Sequence, residues 1–174
     1  MKTTSFVMAL GIAAGVSAAP AMAGNLVRFD GGIGVIPVSS GVVIQTPAGP
    51  SPTSADVNRN VVRGVQPPGN IWVIRDLKAE VKDDGRIRVD GKGLLLGGGN
   101  NIGGTGNQSV FATLICEAAA PFVLRNTDPP VPLDADGDFR IDDVLNPAPA
   151  DCASPVLLIR NAGGAWFAAG IPRR

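Results

Sequence analysis

The sequence predicts an all-β protein: an immunoglobulin-like β-sandwich of about seven short strands, with a small β-barrel as the alternative closure. Three observations lead there. Apolar side chains recur at even spacing beyond residue 70, turn signals follow one another every 8–15 residues, and two cysteines lie far enough apart to tie distant strands together.

The amino terminus is read first. Lys2 precedes an apolar run, Phe6–Val16, and Ala21-Met22-Ala23 supplies a small-x-small cleavage pattern. Residues 1–23 therefore read as a secretory signal peptide, too short to span a hydrocarbon core of ~30 Å as a helix. The predicted location is exported, periplasmic or extracellular. Residues 24–69 read as an amino-terminal arm and a Pro-rich linker. Leu26–Phe29 and Ile33–Ile44 look strand-like, either as part of the main sheet or as an independent arm. Gln45–Gly69, rich in Pro, Ser, Thr and Gly, looks like the spacer. The main domain is placed at 70–174.

The first hairpin can be read to its register. Leu77, Ala79 and Val81 alternate with charged residues, as do Ile87 and Val89 beyond Asp83-Asp84-Gly85. A three-residue loop opposes Val81 to Ile87 and Ala79 to Val89 on one face. On the other it sets Glu80 against Arg88, Lys78 against Asp90 and Asp76 against Lys92. Gly85 then takes the left-handed position. The same logic at Ala135-Asp136-Gly137 opposes Leu133 to Phe139 and Val131 to Ile141. Further strands are expected at Ser109–Cys116, Phe122–Arg125, Pro155–Arg160 and Ala165–Ile171, the last two joined at Asn161–Gly164. No helix of three turns is expected.

Composition narrows the function classes. Removing 23 of 174 residues leaves 151, with 14 basic and 15 acidic side chains and no histidine. The near-neutral balance points away from nucleic acid. The missing histidines exclude Ser-His-Asp and Cys-His catalysis and His-ligated metals. Cys116 and Cys152, the only cysteines, are expected to form a disulfide in an oxidising compartment. No later stretch is apolar enough for a transmembrane helix.

Two segments are candidate sites. Thr127–Asp151 holds seven Asp against one Arg, and Asp134, Asp136 and Asp138 have the D-x-D-x-D spacing that opens calcium loops. The register sets Asp134 opposite Asp138, so three carboxylates could bind calcium; Gly137 and Leu145 depart from the EF-hand pattern. The plain alternative is a solvated hairpin tip. The glycine-rich stretch Gly97–Gln108, with Gly103, Gly104 and Asn107, is a candidate loop for a ligand or partner. It lacks the Gly-Lys-Ser/Thr ending of a phosphate loop. Trp72 and Trp166 are expected in the core. Glu80 and Glu117 are the only glutamates, and Glu80 is already matched to Arg88.

Over about Ile71–Pro172, the pattern WVIRDLKAEV…DGRIRVDGKGLLL…SVFATLIC…VPLDADGDFRIDD…ADCASPVLLIRN…WFAAGIP resembles a group of small exported bacterial proteins with a β-sandwich-like core. That resemblance implies no activity and carries over no functional residue. Taken together, these readings favour a non-enzymatic extracytoplasmic binding or structural module with no cofactor and a protein or envelope partner. The alternatives are a tethered envelope or matrix component and a carboxylate-dependent hydrolase.

Overall fold

The computed structural model of the chain describes residues 23–46 and 49–173, without side chains for 39–46 and 49–58. The expected signal peptide, apart from Ala23, lies outside the described residues. The first strands are β1 (Asn25–Gly34), β2 (Val38–Thr46), β3 (Gly49–Arg59), β4 (Trp72–Val73), β5 (Asp76–Lys82), β6 (Arg86–Lys92) and β7 (Leu95–Leu96). Then come β8 (Ser109–Ile115), β9 (Arg125–Asn126), β10 (Val131–Pro132), β11 (Phe139–Val144), β12 (Val156–Asn161) and β13 (Trp166–Pro172). Among the described residues there is no helix, so none can cross a membrane.

The β5–β6 hairpin forms in the register that its alternation dictates. Val81 faces Ile87 and Ala79 faces Val89, while Glu80 faces Arg88 and Lys78 faces Asp90. Gly85 has φ +87°, and its N–H donates to Lys82 O at 3.1 Å. One strand face supplies Leu77, Ala79, Val81, Ile87 and Val89 to the core; the other carries charge into solvent.

Eight strands continue this pairing in the order β10-β8-β12-β13-β1-β5-β6-β11, with β9 attached to β8. Their neighbouring pairs are antiparallel throughout. The two end strands, β10 and β11, are joined by one short turn, so the sheet curls until its edges nearly meet. A single core runs from Phe29 and Trp72 through Leu114 and Leu158 to Phe167. The protein is therefore all-β among the described residues, a nearly closed, barrel-like sheet around one core, with two small two-stranded sheets, β2 with β3 and β4 with β7.

The expected boundary near residue 70 does not coincide with the edge of the sheet. β1 lies between β5 and β13, with Arg28 opposite Glu80 and Ile33 opposite Ala169. Gly31 (φ +95°) and Gly32 make a bulge that lets the strand bend across its neighbours. The run Ile33–Ile44, read as one strand from sequence, breaks at Pro37, which has no N–H to give to a ladder.

Much of the described part of the segment 45–69, read as a spacer, is also engaged by pairing. β2 and β3 form a hairpin from Val38↔Arg59 to Thr46↔Gly49, and its base closes with Asn60 N–H to Pro37 O at 2.9 Å. Beyond it Val62 and Val65 exchange backbone hydrogen bonds, Val65 is buried, and Trp166 Nε1–H donates to Asn60 O at 2.9 Å. Arg63 then donates to Ile115 O (3.1 Å), Ser154 O (2.6 Å) and Ser154 Oγ (2.6 Å). This segment is clasped to the end of β8, where Cys116 and Cys152 form the expected disulfide.

The second expected hairpin is half right. Asp134 N–H donates to Asp138 O (2.9 Å) and Gly137 N–H to Asp134 O (2.8 Å), so the turn Ala135-Asp136-Gly137 forms as read. Its arms then part. Leu133 does not pair with Phe139, nor Val131 with Ile141; Val131 pairs with Val110 and Ile141 with Val89. The same apolar faces are used, but the arms go to different strands: β10 makes a two-residue ladder with β8, and β11 a six-residue ladder with β6. Phe122–Arg125, expected as a strand, contributes only Arg125 to β9.

Candidate functional site

The two segments singled out from sequence meet at one end of the barrel. Leu94 N–H donates to Gly137 O (2.9 Å), and Leu133 N–H donates to Gln108 O (3.0 Å). Two residues along from Leu94, Leu96 N–H donates to Gly104 O (2.9 Å) while Gly103 N–H donates to Leu96 O (2.8 Å). The glycine-rich loop is therefore bound to the β7 segment on one side, and the acidic tip adjoins it on the other. Gly103 and Asn107 have φ of +80° and +52°, and both are exposed.

The three candidate calcium ligands have different surroundings. Asp138 Oδ2 accepts from Lys92 Nζ at 2.9 Å and Oδ1 accepts from Gly93 N–H at 3.0 Å, with an Arg75 guanidinium nitrogen 3.6 Å away. The Lys92 ammonium, aided by Gly93, holds its carboxyl below the usual carboxylate range. Asp134 and Asp136 are exposed. Among the described residues no three such side chains converge around a common point. Asp138 thus ties the tip to β6, and this role competes with metal ligation.

Gly137 fixes the tip's position. It has φ +76°, and a Cβ there would lie 2.5 Å from Leu94 O and 2.7 Å from Leu94 N. Gly137→Ala is expected to destabilise by roughly 2–4 kcal/mol, from left-handed strain plus backbone overlap. Denaturant titration measures it; a loss below about 1 kcal/mol would show that the tip is not seated on Leu94.

The outer face of β1, β5, β6 and β11 is a lattice of alternating charge. One row across the strands reads Arg28, Glu80, Arg88, Asp142; the next reads Asp30, Lys78, Asp90, Arg140. The ion pairs differ from the expected Glu80–Arg88 match. Arg28 bonds Glu80 at 3.2 Å, Lys82 bonds Glu80 at 2.8 Å, and Arg88 turns to Asp142 at 2.7 Å. Each long side chain has opposite charges on two sides, and the register alone does not select between them. The Lys82 and Arg28 hydrogen bonds hold the Glu80 carboxyl below its ordinary range.

Glu117 is held more firmly. Arg125 Nη2 donates to its Oε1 at 2.8 Å and Val123 N–H to its Oε2 at 3.1 Å. Chiefly through Arg125, its carboxyl falls from 4.5 to about 2. A carboxyl lowered on folding stabilises the protein above its unfolded value and loses that contribution as pH falls toward the folded one. Glu117→Gln is therefore expected to melt below the wild type at pH 7, and the gap should close between pH 4.5 and about 2. A gap that stays constant across that range would show that ionisation of Glu117 is not the cause.

The hairpin β2–β3 was not read as an element from sequence. Among the described residues its two strands pair only with each other. Exposed apolar side chains gather in the chain at its base: Ile33 (59% exposed), Ile36 (61%), Val38 (43%) and Val61 (43%). A signal was present in Pro47-Ala48-Gly49-Pro50, a turn composition following the β-branched run Val42–Ile44. No protein-family model, curated protein or solved structure matches the chain.

Proposed function

We propose that this is an exported, non-enzymatic structural or binding module of the extracytoplasmic space, whose barrel displays the β2–β3 hairpin to a partner. The observation that carries this reading is the hairpin itself, a two-stranded sheet paired with no other strand among the described residues. An isolated hairpin is marginal in water, so one kept on a well-packed barrel finds its support in something it binds. The Cys116–Cys152 disulfide fits an oxidising compartment, as does the signal-like amino terminus. Resemblance to small exported bacterial proteins is part of the same proposal.

A hydrolase working through its glutamates is disfavoured by their state. A general acid needs a carboxyl raised toward neutrality. Both glutamates, Glu80 and Glu117, are instead lowered by cationic partners. Calcium at the acidic tip and a ligand at Gly103, Gly104 and Asn107 form a second reading, favoured by the meeting of those segments around β7.

The hairpin can be excised to test the main reading, because Pro37 and Asn60 are joined by a backbone hydrogen bond of 2.9 Å. Replacing residues 38–59 with Gly-Gly is expected to leave an exported, folded barrel that is lost from the envelope or matrix fraction. Retention equal to wild type would overturn hairpin display. Substituting Asp134, Asp136 and Asp138 by Asn in parallel tests the second reading, through the melting temperature with and without millimolar Ca²⁺.

A further inference from the structure

We infer that the groove beside Phe111, where β9 and β10 part along the edge of β8, binds one neutral pyranose residue of a glycan. The groove belongs to the barrel, so the inference goes beyond the hairpin-display reading and does not depend on it.

The sequence keeps this groove open. β9 meets β8 at Thr113↔Asn126 and β10 meets it at Val110↔Val131, which leaves Phe111 without a ladder partner between them. The intervening Asp128-Pro129-Pro130 does not close the gap. Both prolines lack an N–H, and Asp128 N–H is turned to Asp143 Oδ2 at 2.9 Å. What remains is a groove of about 370 Å³, within the range of small-ligand sites.

Register gathers polar side chains there. Residues directly opposed in an antiparallel pair share a face. Thr113 opposes Asn126, and Asn126 opposes Asn146 through backbone hydrogen bonds of 3.0 and 2.9 Å. Both carboxamides therefore lie on the side of Phe111, which is two residues from Thr113 along β8. Thr113 Oγ1 donates to Asn126 Oδ1 at 2.8 Å, so the Asn126 NH2 is left for a ligand. Asn146 and Asp128 are exposed and line the same groove.

The apolar part of the groove is held in place. Phe111 is half-buried, and the Arg160 guanidinium carbon lies 5.1 Å from its ring centroid. Arg160 Nε–H donates to Gly164 O (2.8 Å) and Nη1–H to Thr113 Oγ1 (3.3 Å), which fixes the cation against the ring. Pro130 adds a second rigid ring to the lining.

These features select the ligand class. A pyranose has C–H faces that rest on an aromatic ring, and a rim of hydroxyls that both donate and accept. Two carboxamides and a carboxylate match such a rim. A hydrocarbon ligand would desolvate the Asn126, Asn146 and Asp128 groups without replacing their hydrogen bonds. Among the described residues no cation lines the groove, and Asp128 is its one charge. That balance opposes phosphates and acidic sugars.

The test follows backbone amide NMR shifts of the purified, disulfide-bonded protein during titration with sugars. The probes are cellotetraose, mannotetraose, maltotetraose and chitotetraose, with tetragalacturonate as the acidic counterpart. At least one neutral probe is expected to bind at millimolar concentration or below, moving amides of residues 111–113, 126–128, 146 and 162. Asn146→Ala and Phe111→Ala should each weaken that binding about tenfold. Phe111→Trp, which keeps a platform, should bind at least as tightly as wild type. Asn146→Ala should melt with wild type, which separates a lost contact from lost folding. The inference is overturned if none of the four neutral probes moves these amides, or if the shifts map to another face. It is equally overturned if tetragalacturonate binds as tightly as the neutral sugars, or if Asn146→Ala binds like wild type.

Discussion

Trp72→Ala is expected to lower the unfolding free energy by about 3–5 kcal/mol, the range for truncating a large buried aromatic. The indole is 4% exposed and stacks on Phe167 with ring centroids 4.0 Å apart and planes 12° from parallel. Its backbone is equally committed. Trp72 N–H donates to Val35 O at 3.1 Å, and Val35 N–H donates to Phe167 O at 3.0 Å, so Val35 bridges β4 to the last strand. β1 passes so close that a Cβ on Gly34 would lie 2.2 Å from Trp72 O. Removing the indole leaves a cavity that backbone contacts on both sides prevent from collapsing, which places the loss toward the upper end. In a domain of this size the melting temperature should drop by roughly 6–20 °C. Trp72→Phe should recover part of it. A drop under 3 °C would mean that the Trp72–Phe167 stack is not part of the packed core.

Breaking the disulfide is the second large effect. Cys116 and Cys152 are 36 residues apart, and a loop of that length is worth about 4 kcal/mol in the chain-entropy treatment. Cys116 directly follows β8 and Cys152 precedes β12, whose ladder begins at Ile115↔Val156. The bond therefore clamps the end of a central pair. The Cys116→Ser/Cys152→Ser protein should remain folded at 25 °C but melt roughly 8–16 °C lower. Part of the clamp survives without sulfur, since Ser154 N–H still reaches Cys116 O (3.1 Å) and Arg63 still holds Ile115 O and Ser154 O. Adding Arg63→Ala should consequently cost more in the reduced background than in the oxidised one. Equal costs in both backgrounds would show that the two clasps act independently.

What could be read from sequence follows from how local the determining contacts are. The β5–β6 register was legible because alternation, a glycine turn and complementary charges all sit within seventeen residues, Asp76–Lys92. The pairing of Cys116 with Cys152 was legible because no other cysteine competes. The turn at Ala135–Gly137 was legible for the same local reasons as Gly85. The course of its arms was not, because their partners Val110 and Val89 lie in other strands and nothing local to the turn selects them. β1 could be read as extended but not as interior, since its place between β5 and β13 is decided by partners far along the chain, such as Lys82 for Asn25 and Ala169 for Ile33. The prolines of β3 resemble spacer composition; in the fold they lie in a strand paired with β2. At the acidic tip, aspartate spacing was visible, whereas the capture of Asp138 by Lys92 and Gly93 depends on β6 lying alongside.

Hydrogen exchange read peptide by peptide addresses the architecture most directly, because it asks which backbone segments open together. With β1 as an interior strand, amides of residues 27–33 should exchange as slowly as those of β5 and β13. Rapid exchange across residues 27–33, with β5 and β13 still protected, would mean that the amino-terminal segment is a loose arm and that the barrel is built without it.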